Sequence, residues 1–224
     1  MIKIVRRLMG AAAIAGAFAA LPASAGVIPA VLDFENPVLT NLYFPGDTFI
    51  DQGFRMTVDF DFGTVDAAGN LPALTSGNNT QVYGQFNDGG LIVQRDDGLA
   101  FNLNSFQFAK IPQNPAGALA TALVAFAESM DGTQFGFGFA FASVVNGANP
   151  FATANVSGLF NNLRSVEFFA CSLVGNQLCT AATRDSGQFA LDNINVETIP
   201  EPGSITLVLG ALLAAGMAAR RNVR

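Results

Sequence analysis

The chain has 224 residues, half of them hydrophobic, with 17 acidic against 11 basic side chains and neither histidine nor tryptophan. Lacking imidazole, it cannot use Ser-His-Asp or Cys-His catalysis in their usual forms, or a histidine zinc site. Its acidic balance repels phosphate backbones, so nucleic acid is not an expected partner.

The chain opens with Lys3, Arg6 and Arg7, an apolar run over 8–21, and Ala23-Ser24-Ala25. Basic residues hold such a start in the cytoplasm, a short apolar helix enters the export channel, and small side chains at Ala23 and Ala25 fit a signal peptidase. The run is shorter than the roughly 20 residues a membrane crossing needs. Residues 1–25 therefore read as a signal peptide cut after Ala25. The following body, 26–199, carries 16 acids against Arg55, Arg95, Lys110, Arg164 and Arg184, a net charge of −11. No S-x-x-K or G-x-S-x-G motif offers it a nucleophile, and a non-enzymatic role is expected.

Period-two patterning dominates this body, with no helical repeat of useful length. Strands are expected at 31–35, 54–62, 81–86, 91–94, 99–108, 122–126, 133–142, 152–156, 165–170 and 188–196. Asn87-Asp88-Gly89-Gly90, Asp96-Asp97-Gly98, Asp131-Gly132, Asn146-Gly147 and Asp185-Ser186-Gly187 supply turn chemistry between them. About ten short strands so spaced predict an all-β fold, a single β-sandwich of the jelly-roll type.

Within 54–62 the even positions are apolar and the odd ones polar, which places Asp59 and Asp61 on one wet face. Paired carboxylates can cleave glycosides when suitably spaced, so a carboxylate glycosidase is one alternative reading. Residues 66–80 read as a long surface loop. In 133–142 phenylalanine alternates with glycine or alanine, giving one ring-bearing face and one smooth face. In 99–108 and 188–196 the apolar parity changes midway, which predicts β-bulges near Asn104-Ser105 and Asp192-Asn193. Cys171 and Cys179, the only cysteines, bracket Gly175-Asn176 and predict a disulfide closing a small loop in an exported protein.

LDFE at 32–35 and FALDNINV at 189–196 are similar to the openings and closings of jelly-roll modules that resemble carbohydrate-binding domains. That resemblance implies neighbouring terminal strands and a structural calcium, with Asp33, Glu35, Asp192 and Asn193 supplying part of its oxygen shell. It also raises a carbohydrate-binding module as an alternative function. Sugar platforms use exposed Trp and Tyr rings, and the body offers only Tyr43 and Tyr83.

The ending has a different character. Pro200-Glu201-Pro202 cannot extend a strand ladder, 203–219 is uncharged and spans roughly 25 Å if helical, and Arg220, Arg221 and Arg224 follow. Such a run is near the short limit for a membrane span, and its basic end favours the cytoplasm. In this order the three parts resemble the PEP-CTERM sorting signal of Gram-negative bacteria that make exopolysaccharide. The resemblance implies recognition at Pro200, Glu201 and Pro202 by an exosortase and transient membrane insertion through 203–219. It further implies release of the body to the cell surface or extracellular matrix, with exopolysaccharide as a partner.

Overall fold

The protein is described from a computed structural model, which defines residues 27–36, 41–71, 80–111, 120–174, 177–180 and 187–199. The expected signal peptide with Ala23 and Ala25, and the tail with Pro200, Glu201, Pro202, Arg220 and Arg221, lie outside those residues. The described unit, Ile28–Ile199, is all-β with one short 3-10 turn at Ala68–Asn70. None of its elements is a helix long and apolar enough to cross a membrane.

Thirteen strands are present among the described residues: β1 (Ile28–Leu32), β2 (Asn41–Tyr43), β3 (Thr48–Asp51), β4 (Phe54–Asp59), β5 (Phe62–Ala67), β6 (Gln81–Phe86) and β7 (Gly90–Arg95), followed by β8 (Phe101–Lys110), β9 (Ala122–Ser129), β10 (Gln134–Ala140), β11 (Ala152–Val174), β12 (Gln177–Thr180) and β13 (Phe189–Thr198). They form one continuous, sandwich-like antiparallel network in the order β2-β5-β6-β13-β8-β11-β7-β4-β3. β11 joins its two halves. Ala152–Asn155 pairs with β8, whereas 165–169 lies between β7 and β9.

Several expected elements differ from the observed ones for local backbone reasons. The strand expected over 54–62 is two strands, because Phe60 and Asp61 both adopt positive φ, 55° and 48°. That corner moves the chain from its partner β7 to its new partner β6. Conversely, 152–156 and 165–170 belong to one strand of 23 residues. Shifts of register between Asn155, Phe160 and Leu163 absorb the polar middle, with Gly158 at φ 82° and Asn162 at φ 55°. β5 and the 3-10 turn occupy the start of the loop expected from residue 66.

β3 and β4 form a hairpin that the pattern did not predict. Asp51 pairs with Phe54 across Gln52-Gly53, both at positive φ, 48° and 79°, which suits a type I′ turn. Both predicted bulges are present. Between Asp192↔Gln107 and Asn195↔Ser105 the extra residue is on β13; between Asn195↔Ser105 and Val196↔Leu103 it is on β8. Asn193, at φ 47°, lies in the first bulge. Phe101, Leu103, Phe106 and Phe108 can therefore all point inward from one strand despite their change of parity.

The main core holds Phe34, Phe54, Phe101, Phe106, Phe160, Phe168 and Phe189 with aliphatic neighbours. Phe135, Phe139 and Phe141 rest on its rim, with Phe139 centred 5.2 Å from Phe106 in an edge-to-face contact.

Candidate functional site at the closing strands

The two ends of the body meet side by side. β1 pairs antiparallel with β13 from Ile28↔Thr198 to Leu32↔Ile194, so Asp33 and Asn193 each lie one position beyond the last pair. The adjacency implied for the terminal strands is therefore present. Around it, Asp33 Oδ1 accepts from the Glu35 amide at 3.2 Å, and Glu35 Oε1 accepts from the Gln81 amide at 2.9 Å. On the preceding residue, the Thr80 hydroxyl donates to Asp192 Oδ2 at 3.1 Å. Asp192 is fully buried and also receives the Asn193 amide, while Asn193 Nδ2 donates to Gln107 Oε1.

Glu35 and Asp192 thus grip consecutive residues, Gln81 and Thr80, at the start of β6. The four residues proposed for calcium share one corner. Their acids nevertheless do not converge on a point, and no group of three or more His, Cys, Asp or Glu among the described residues is arranged to hold a metal. Gln81 Oε1 in the same corner is buried without a hydrogen-bond partner.

Asp51 adds a second anchor near the first strand. It is 1 % exposed, and its carboxylate accepts from the Phe34 amide at 3.0 Å and from Asn36 Nδ2 at 2.6 Å. This fixes Phe34, at φ 60°, with its ring in the core. Sequence reasoning passed over Asp51, because a single acid ending a four-residue strand has no distinctive pattern.

Arg95 closes the opposite end. Its Nη1 donates to the carbonyls of Ala100 and Ile199, each at 3.0 Å, and the Ile199 amide donates to Ala100 O at 3.3 Å. Asp97 holds the same guanidinium through two hydrogen bonds, which lower its own pKa from the ordinary carboxylate value. Both backbone groups of Ile199 are thereby bonded immediately before Pro200.

The expected acid pair is different from the one formed. Asp61 lies at the corner beyond β4, whereas Asp59 acts on Glu167, whose pKa it raises. The register permits this: Asp59 pairs with Gly90 and Gly90 with Phe169, and bare Gly90 leaves room for Glu167 Oε1.

Burial first, and then the Asp59 carboxylate, push the Glu167 pKa up. Ionising Glu167 therefore costs more in the folded chain than in the unfolded one. Stability is greatest below the ordinary glutamate range and falls as pH rises through the raised folded value. Glu167→Gln is expected to raise Tm at pH 7 by about 1–2 °C, after allowance for solvent screening, and to leave it unchanged at pH 4. An equal change at both pH values in thermal melts would refute this account.

Neither tyrosine offers an open ring. Tyr83 is fully buried and Tyr43 is 9 % exposed, so both belong to the core that includes Phe34 and Phe49. A sugar platform built on them is corrected by this burial. Cys171 is buried and is not a free thiol. Its expected partner, Cys179, has a side chain outside those described, although β12 pairs antiparallel with the end of β11. No known family model matches the chain, and no curated protein matches it.

Proposed function

We propose that the chain is an exported, non-catalytic β-domain carrying a removable sorting signal. Export uses residues 1–25. The segment 200–224 then halts in the inner membrane through 203–219, with Arg220 and Arg221 on the cytoplasmic side. An exosortase cuts near Pro200-Glu201-Pro202, and the body passes to the cell surface or extracellular matrix, where it serves a structural or binding role with exopolysaccharide. We place the body in the jelly-roll class of sandwiches, with Cys171 and Cys179 joined.

The observation that carries this reading is a sequence order: Pro-Glu-Pro, an uncharged apolar run and an arginine cluster, in immediate succession. The position of that order adds support. Among the described residues the last with a place in the β-network is Ile199, whose amide and carbonyl are both occupied. Two prolines at the next three positions then present extended, donor-poor backbone to a processing enzyme.

Intact-mass measurement on the protein recovered outside its host cells tests the proposal. The expected species lacks residues 1–25 and everything beyond about residue 202, and it resists alkylation until reduced. Recovery of the whole tail in that material would sink the sorting assignment, while alkylation before reduction would remove only the disulfide.

A further inference from the structure

Strand β10 pairs with β9 alone, and its other edge faces no described residue of the sheet. The hydrogen bonds at its two ends show which groups point out. Ser129 N donates to Thr133 O at 2.9 Å and Phe141 N donates to Thr121 O at 3.1 Å, so the odd-numbered residues turn their amides and carbonyls toward β9. In an antiparallel pair the intervening residues then turn both groups outward. These are Gln134, Gly136, Gly138 and Ala140.

That edge lacks the usual protections. The other one-sided strands are shorter: β3 has four residues flanked by Asp47 and ending in Asp51, β2 and β12 have three and four, and β1 contains Pro29. β10 has seven residues with no charge, no proline and alternating rings, the composition that strand-edge protection ordinarily avoids. Neither glycine has positive φ, so backbone conformation does not require them. Gly136 is explained by the Phe126 ring lying over it, where a Cβ would approach to 3.0 Å. Phe137 is 42 % exposed on the ring-bearing face.

We propose that β10 is a strand-addition site for a second copy of this chain, paired antiparallel about a two-fold axis at Phe137. The register is self-complementary. Gly136 meets Gly138 and Gln134 meets Ala140 as hydrogen-bonded pairs, giving about eight bonds, and Phe137 meets its own copy at a non-hydrogen-bonded position. Charge decides in favour of this contact. The body carries a net charge of −11, and this register brings no charged side chain into the ladder. The half-exposed Phe137 rings cover one another. The proposal does not depend on the sorting signal.

The test uses the full chain in detergent, so that any association through other segments is common to all variants. Phe137→Cys is expected to give a covalent dimer under mild oxidation, since non-hydrogen-bonded pairs place their Cα atoms about 4.5 Å apart, within disulfide reach. Val144→Cys, an exposed control, is expected to give none. Gly138→Pro removes an outward amide and none that bonds β9; it should abolish the Phe137→Cys dimer and at least halve the dimer fraction of the otherwise wild-type chain in sedimentation at equal concentration. A wild-type chain and a Gly138→Pro chain that sediment alike would overturn the proposal, as would a well-folded Phe137→Cys chain that stays monomeric. If Phe137→Cys fails to fold, the sedimentation comparison alone decides.

Discussion

Replacing Phe106 with alanine is expected to cost about 3–5 kcal/mol of stability, because its ring joins β8, β10 and β11 within the core. Phe106 is fully buried on β8, and its centroid lies 5.7 Å from Phe108, 5.2 Å from Phe139 of β10 and 5.0 Å from Phe168 of β11. Truncation removes the transfer free energy of the ring and leaves a void against three other rings, which cannot all move into it. In a domain of this size the loss corresponds to a Tm decrease of roughly 6–20 °C. Phe60→Ala is the contrast: Phe60 is 67 % exposed, and its change is expected to stay within about 0.5 kcal/mol. Urea unfolding of both variants checks the pair, and equal losses would contradict this account of the core.

The second large effect is expected at a buried polar junction. The Tyr83 hydroxyl donates to Gln85 Oε1, and Gln85 Nε2 donates to the carbonyls of Phe62 at 3.0 Å, Phe86 at 3.2 Å and Phe60 at 3.3 Å. Both side chains are fully buried. Burial pushes the Tyr83 phenol well above its ordinary pKa, so it stays a donor throughout the physiological range. The amide thus ties the corner at Phe60-Asp61, where β4 hands over to β5, to the strand that β5 joins.

Gln85→Leu leaves the hydroxyl and the corner carbonyls short of partners in a dry site and should cost roughly 2–4 kcal/mol. Tyr83→Phe should cost about 1–3 kcal/mol. The double variant is expected to lose less than the sum of the two, since it removes the orphaned pair together. Strict additivity in a double-mutant cycle would show that the two groups are not coupled. The surrounding glycines have a physical role here: a Cβ on Gly63 would strike the Tyr83 hydroxyl, and one on Gly89 would strike the Gln85 amide.

The parts of the fold legible in the sequence were those governed by local alternation and turn chemistry. β6 is observed at the expected residues, and β7, β8, β9, β10 and β13 differ from expectation by a few residues at their ends. The parity changes at Asn104-Ser105 and Asp192-Asn193 could be read because an apolar face must return to the core after each bulge. The elements that escaped are short or depend on partners. β2 has three residues, too few for a periodic signal, and the corner at Phe60-Asp61 interrupts an alternation that itself remains perfect. At the closing strands, Asp33, Glu35, Asp192 and Asn193 were identifiable as residues, but not the Thr80-Gln81 segment that two of their carboxylates hold.

By itself, the sequence determined the all-β class, the exclusion of imidazole chemistry and the acidic character of the body, together with the order of Pro-Glu-Pro, apolar run and arginines that motivates the sorting proposal. These follow from composition and from spacing between near neighbours. Only the tertiary structure decided that Asp59 acts on Glu167, that Tyr83 is buried against Gln85, and that β10 pairs with β9 alone among the described residues. Each of those depends on which distant strand lies alongside. Alternation specifies the face a residue occupies but not its cross-strand neighbour, because every amphipathic strand offers the same apolar side and the same backbone groups to any partner.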